Sequence, residues 1–186
     1  LTDGSGQATV TSTAGTAAGS AAVNVVVKPG SLEHTVPLTL LPGEPAALHI
    51  DADKSQLVAD GAGSANIAVT VADAYGNRVP GVTVSFTADQ GTVDGSAVTD
   101  SQGRATVQFV AGTVLGQAEI TAQCGAALGT AVITLVVGPP AQLSVISAPA
   151  SLPADGRSTG EVRAAVLDAY GHPVGGRTIQ FSTSQG

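Results

Sequence analysis

Methionine and tryptophan are absent from the 186 residues, cysteine occurs once, and the aromatic residues together make up 3%. Each shortage excludes something. A lone Cys124 closes no intramolecular disulfide, so the fold must hold through burial and hydrogen bonding, and cysteine usage leaves the compartment open. Its expected role is a small buried hydrophobe rather than a reactive thiol. Few aromatics leave few of the anchors that dominate protein hot spots or stack on sugars. Basic residues are scarce as well: 7 Lys and Arg face 14 Asp and Glu, a net charge of −7. That is the wrong sign for a surface that neutralises phosphates or anionic lipid, which disfavours nucleic acid and membrane-surface partners. The apolar run from Ala131 to Val137 is about a third of the roughly 20 residues a spanning helix needs, so no membrane insertion by this segment is expected. The first residue is Leu1, with no basic or apolar leader pattern behind it, and the chain reads as a mature or excised segment.

What is present is apolar and turn-rich: 43% hydrophobic residues, with 24 Gly and 10 Pro. Such a chain buries enough surface to offset ordering entropy, so it is not disordered, and its glycines follow no three-residue period, so it is not collagen. An internal repeat organises it. PGEPAALHI at 42–50 matches VGPPAQLSV at 137–145, and the 35 residues at 57–91 match those at 152–186, both displaced by 95 residues without a gap. In the other direction TDGSGQATVTSTAGTAAGSAAVNV at 2–25 matches TDSQGRATVQFVAGTVLGQAEITA at 99–122, displaced by 97 residues. The expected organisation is one complete unit at 43–137, preceded at 1–42 by the C-terminal part of a like unit and followed at 138–186 by the N-terminal part of the next. Leading and trailing parts together lack six residues of a unit, the Gly-rich stretch TVDGSA. Either a longer protein continues there, or the two parts complete each other between copies.

Within the complete unit, alternation with a period of two dominates. Ala46–Ala52, Ala65–Ala72, Val82–Ala88, Arg104–Val110, Gln117–Ala122 and Ala131–Val137 are short runs rich in Val, Ile, Thr and Phe, separated by Gly, Asp, Asn and Pro. Gly and β-branched residues fill every stretch that could be helical. The spacing predicts an all-β fold of tandem immunoglobulin-like antiparallel β-sandwiches, six or seven strands in about 95 residues, with Greek-key connections. Ile67, Val69 and Val71 should share one face of a strand, and Val82, Val84 and Phe86 one face of another. Phe86 and Phe181 are equivalent and expected in the core. Tyr75 and Tyr170 are equivalent turn residues, expected to pack over the end of a sandwich or against the adjacent unit.

Four strings carry a more specific signal: ADG at 59–61, DAYGNRVPGVTVSF at 73–86, TDSQGRAT at 99–106 and AGTVLGQAEITA at 111–122. Together they resemble the group 1 bacterial immunoglobulin-like domain, the repeated module of invasins and intimins. Arg78 stands where that family usually has Pro, which Pro173 keeps in the following unit. The resemblance implies an extracellular location at the bacterial surface and a stalk or fibre that spaces a binding tip. Its implied partners are neighbouring repeats or copies of itself, with a host receptor engaged through a tip outside this segment.

No enzyme is expected, because no constellation of catalytic or ligating residues is found. His34, His49 and His172 lie outside zinc-ligand spacing, and in the repeat His49 aligns with Ser144 and His172 with Asn77. Gly61 and Gly63 lack the third glycine and the helix of a dinucleotide turn and are read as turn residues. No catalytic, cofactor-binding or metal-binding residue is therefore expected. Calcium is the lesser alternative for Asp51, Asp53 and the equivalent pairs Asp60/Asp155 and Asp73/Asp168; the main reading has these acids capping turns by accepting backbone N–H groups. The rival to a stalk is a binding module that contacts protein or glycan through the end loops at 94–96 and 100–103. Two prolines in each short joint, Pro42 and Pro45 in one and Pro139 and Pro140 in the other, predict limited bending between units.

Overall fold

A computed structural model describes residues 1–30 and 32–184, so the last two positions of the predicted trailing part lie outside the described residues. The described structure is all β. A first hairpin pairs β1 (Gly19–Val26) with β2 (Glu33–Leu40). Nine strands follow: β3 (Ala47–Ala52), β4 (Gln56–Val58), β5 (Ser64–Ala72), β6 (Thr83–Ala88), β7 (Thr92–Val93), β8 (Ser96–Val98), β9 (Arg104–Val110), β10 (Gly116–Cys124) and β11 (Ala127–Val136). A last hairpin pairs β12 (Gln142–Ala148) with β13 (Glu161–Leu167).

The nine central strands form two sheets, one ordered β3-β5-β9-β7 and the other β4-β11-β10-β6-β8. The first chain segment after Gly43 serves both: β3 pairs antiparallel with β5, and after a short bend β4 pairs with β11. That second pairing is parallel, the one departure from a wholly antiparallel sandwich, and it arises because the same segment crosses from one sheet to the other without reversing direction. The three shortest strands, β4, β7 and β8, sit at sheet edges, where pairing on one side alone gives them length two or three.

Alternation places the core. Ala65, Ile67, Val69 and Val71 of β5 and Ala105, Val107 and Phe109 of β9 face Val84 and Phe86 of β6, Ala118, Ile120, Ala122 and Cys124 of β10, and Ile133 and Leu135 of β11. Each fully buried Val, Leu, Ile or Phe contributes about 1.5–3 kcal/mol of transfer free energy. Cys124 is among them, and burial pushes its thiol pKa up, as suits a residue that fills space. Val82 precedes β6 instead of lying in it, yet its side chain still packs against the core.

Two turns depend on glycine. Gly91 has φ +75°, and a Cβ there would stand 2.4 Å from the Val110 carbonyl oxygen. Gly103 has φ +67°, and its Cβ would stand 2.9 Å from the Val71 carbonyl oxygen.

The expectation for Phe181 is corrected. Phe86 is 3% exposed but the equivalent Phe181 is 63% exposed. No strand forms over 177–184, where the equivalent of β6 would run, and the facing sheet that covers Phe86 is not present beside it.

Candidate functional site

The turn from Asp73 to Asn77 is built around one carboxylate. The backbone closes with the Asp73 amide donating to the Asn77 carbonyl at 2.9 Å and the Gly76 amide to the Asp73 carbonyl at 3.1 Å. Asp73 Oδ1 accepts from the Tyr75 and Asn77 amides, both at 2.9 Å. Its Oδ2 accepts the Asn77 side-chain amide at 2.8 Å and, from outside the turn, the Gly43 amide at 2.8 Å. The Asn77 side chain, followed by the Gly43 amide, holds the Asp73 carboxyl at a pKa of about 2, against the opposing effect of burial.

The same device recurs 95 residues on. Asp168 Oδ1 accepts from the Tyr170 and His172 amides, both at 2.9 Å, and Oδ2 accepts from the Gly138 amide at 3.1 Å. His172 Nδ1 lies 2.8 Å from the same Oδ2, and because an ionised carboxylate only accepts, this nitrogen carries the proton. Asp168 is 1% exposed. Burial would raise its carboxyl, but the donors from His172, Gly138 and Tyr170 outweigh it and keep the group well below the ordinary carboxylate range.

Both hubs therefore do more than cap a turn. Gly138 lies two residues past the end of β11, and Gly43 lies three past the end of β2. Each carboxylate thus ties chain leaving one sheet to a turn belonging to the next. Gly138 is fitted closely: a Cβ there would stand 3.3 Å from Val58 Cγ1 and 3.4 Å from Asp168 Oδ2.

Three further bonds widen the contacts. The Tyr170 hydroxyl donates to the Asp60 carbonyl, in a turn that is itself fixed by the Ala62 and Gly63 amides donating to Asp60 Oδ1 at 2.9 and 2.7 Å. At the earlier joint Asn77 donates from Nδ2 to the Thr16 carbonyl at 2.8 Å, and its Oδ1 accepts the Ala18 amide at 2.8 Å. Tyr75, equivalent to Tyr170, is 72% exposed.

The other residues singled out from sequence fall as follows. Asp53 accepts the Asn66 amide and side-chain amide, both at 2.8 Å, and Asp51 Oδ2 lies 3.0 Å from His49 Nε2 on the surface. Asp155 accepts the Arg157 and Ser158 amides at 2.9 and 2.7 Å. The six acids weighed for calcium thus direct oxygens at donors of the protein itself, and among the described residues no three His, Cys, Asp or Glu assemble that could hold a metal. The end loops are also internally bonded: Asp100 Oδ1 accepts the Gln102 and Arg104 amides, and Asp94 Oδ2 the Gln108 amide. Sequence reasoning recognised Asp73 and Asp168 as turn acids but missed their reach to Gly43 and Gly138. The signal was there, since both Gly–Asp pairs share one separation of 30 residues.

Comparison with known proteins gives this geometry a context. Residues 47–136 match the bacterial Ig-like domain (group 1) family. Among solved structures, invasin, described as a bacterial integrin-binding protein, aligns with a TM-score of 0.61 at 22% identity, covering 87% of this chain and 34% of invasin. FdeC, an Escherichia coli adhesin, aligns with a TM-score of 0.64 at 19% identity, covering 87% of this chain and 54% of FdeC. The chain thus spans about a third of the one and about half of the other. At these identities the likeness is one of fold. No curated protein matches the sequence.

Proposed function

We propose, for a chain whose residues 47–136 are a group 1 bacterial Ig-like domain, that it is a stalk or fibre segment of a bacterial surface adhesin, holding a binding tip at a distance. In this reading 43–137 is a complete domain, 1–42 the C-terminal part of the one before and 138–186 the N-terminal part of the one after. Hairpin registers support the division. Gly19 faces Leu40 as Gly116 faces Leu135, and Leu143 faces Val166 as Leu48 faces Val71. The first hairpin thus has the pairing of β10 and β11, and the last that of β3 and β5.

The observation that carries the reading is the repeated carboxylate hub at each joint. A stalk transmits position only if consecutive domains keep their relative orientation, and a joint tied by hydrogen bonds to a short Pro-containing linker restricts it. Chemistry is not assigned to the segment: the acids are engaged in structure. Neighbouring repeats are its natural partners, and receptor binding, known for invasin as integrin binding, is assigned here to a tip beyond this segment. The location that follows is the outside of the bacterial cell.

The test is orientation. Small-angle scattering and residual dipolar couplings on wild type should show a joint with restricted motion. Tyr170→Phe, which removes one hydrogen bond worth about 0.5–1.5 kcal/mol, and Asp168→Ala should loosen it while leaving the melting of the central sandwich in place. Equal interdomain motion in wild type and Asp168→Ala would remove the mechanical argument.

A further inference from the structure

His172 is placed unlike the other two histidines. His34 is exposed on β2 and the His49 side chain is 76% exposed, whereas that of His172 is 18% exposed and the Asp168 side chain it meets is 2% exposed. Its Nδ1 lies 2.8 Å from Asp168 Oδ2, the same oxygen that accepts the Gly138 amide of the linker at 3.1 Å. The other donors to this carboxylate are backbone amides, so with a neutral His172 the joint buries a full negative charge that has no cation bonded to it. Nε2 has no partner among the described residues and is the atom at which the ring takes up a second proton. At the first joint the equivalent residue is Asn77, which does not titrate.

The surroundings of the ring add little charge. The linker at 137–141 and the loop at 111–115 carry no ionisable side chain. The turn itself adds the Tyr170 phenol, which donates to the Asp60 carbonyl, and the turn at 60–63 adds Asp60, whose Oδ1 already accepts the Ala62 and Gly63 amides. Arg177 lies beside Pro140 and Ala141 of the linker. Arg163 is paired with Glu161 at the start of β13, the end away from the turn.

We propose that His172 makes the second joint proton-responsive: a proton taken up at Nε2 turns the bond to Asp168 into an ion pair and seats the linker more firmly, while the Asn77 joint stays indifferent. The proposal rests on the stalk reading and adds regulation of one joint to it. Burial supplies the coupling. With the linker seated, a Cβ on Gly138 would stand 3.4 Å from Asp168 Oδ2 and 3.3 Å from Val58 Cγ1, and the Ala141 amide donates to the Leu167 carbonyl at 2.8 Å, so little room is left for water at the carboxylate. When the linker lifts, water reaches the carboxylate and screens it. The attraction between an imidazolium and this carboxylate is therefore stronger in the docked joint than in the open one. An attraction that exists only with the proton in place favours docking on the acid side and is lost as pH rises, so the joint tightens as pH falls through roughly 8 to 5, where histidine changes charge.

Residual dipolar couplings and small-angle scattering on the whole chain, at about pH 8 and about pH 5.5, read the two joints on either side of the histidine range and above that of the carboxylates. In wild type the open fraction of the second joint should fall about fivefold at the lower pH, the low end of typical coupling between sites, with the first joint unchanged. His172→Asn and His172→Gln, which take up no proton, should show the same order at both pH values, and a double variant with His34→Asn and His49→Asn should respond as wild type does. Wild-type melting of the central sandwich checks that each variant is folded. A wild-type second joint whose order stays constant or declines between the two pH values overturns the proposal, as does a response that persists in either His172 variant or vanishes in the double variant. A second joint equally ordered at both pH values still satisfies the stalk reading, which Asp168→Ala decides at a single pH, so the two fail separately.

Discussion

Phe86 and Phe181 are the same residue at the same place in the repeat, in opposite surroundings, and this pair gives the sharpest check on the architecture. Phe86 is 3% exposed between two complete sheets; Phe181 is 63% exposed beside a single hairpin. Truncating a core Phe to Ala destabilises by about 3–5 kcal/mol, through lost transfer free energy and the cavity left behind. Against a total of about 5–15 kcal/mol for a domain, Phe86→Ala removes about a fifth or more of the stability. At about 4–8 °C per kcal/mol for a domain near 100 residues, the melting temperature should fall by at least roughly 12 °C. Phe181→Ala should stay within about 0.5 kcal/mol of wild type, as exposed substitutions do. Differential scanning calorimetry on dilute protein reads both. Equal losses at high dilution would refute the reasoning, because they would mean that Phe181 is covered within its own chain.

Three further outcomes follow from the geometry. Asp73 and Asp168 have folded-state pKa values below the ordinary carboxylate value, so their contribution to the joints is full above about pH 4 and is lost as pH falls, for Asp73 through about 2; interdomain order measured by scattering should decline on acidification below pH 4, and Asp73→Asn should flatten that response. Gly91→Ala should destabilise by more than about 1 kcal/mol in urea unfolding, because its φ of +75° and the Val110 carbonyl 2.4 Å from the added Cβ leave no relaxed solution. Cys124 is buried, so a thiol reagent should label it only as the central sandwich unfolds; rapid labelling under native conditions would contradict its place in the core.

Much of the sandwich was legible because alternation and turn residues agree. Six of the nine central strands lie within a few residues of the runs marked by Val, Ile, Thr and Phe, and the buried sets on β5 and β6 follow the alternation. The strands that were missed are β4, β7 and β8. Two or three residues carry no period, and the existence of such strands is decided by what they lie beside: Thr92 and Val93 are strand because Val110 and Phe109 offer an edge. The parallel pairing of Leu57 with Leu135 was illegible for the same reason. Phe181 failed differently. Its sequence environment repeats that of Phe86, but burial is a property of the facing sheet, and periodicity within one strand says nothing about whether that sheet is at hand.

The joint shows where local and long-range information meet. Asp at the first position of a D-A-Y-G turn already explains two amide bonds in each copy, and a turn cap needs no more. Oδ2 is the surplus. In each hub it accepts one donor from the fifth residue of the turn and one from a glycine 30 residues earlier. The fifth residue differs between the hubs, and the difference has a mechanical meaning. Asn77 uses its amide to bond the carboxylate and two backbone groups of the preceding segment at once, with donor and acceptor on one planar group. His172 donates a hydrogen bond from Nδ1 to the carboxylate and has no second donor and acceptor on adjacent atoms to clasp a backbone in that way. The second joint relies instead on the hydroxyl of Tyr170 at the Asp60 carbonyl. His172→Asn should therefore convert the second joint toward the first and make it tolerant of Tyr170→Phe. If the double variant is as loose in dipolar-coupling measurements as Tyr170→Phe alone, the fifth residue of the turn does not set the stiffness, and the glycine amide bond is left as the determinant.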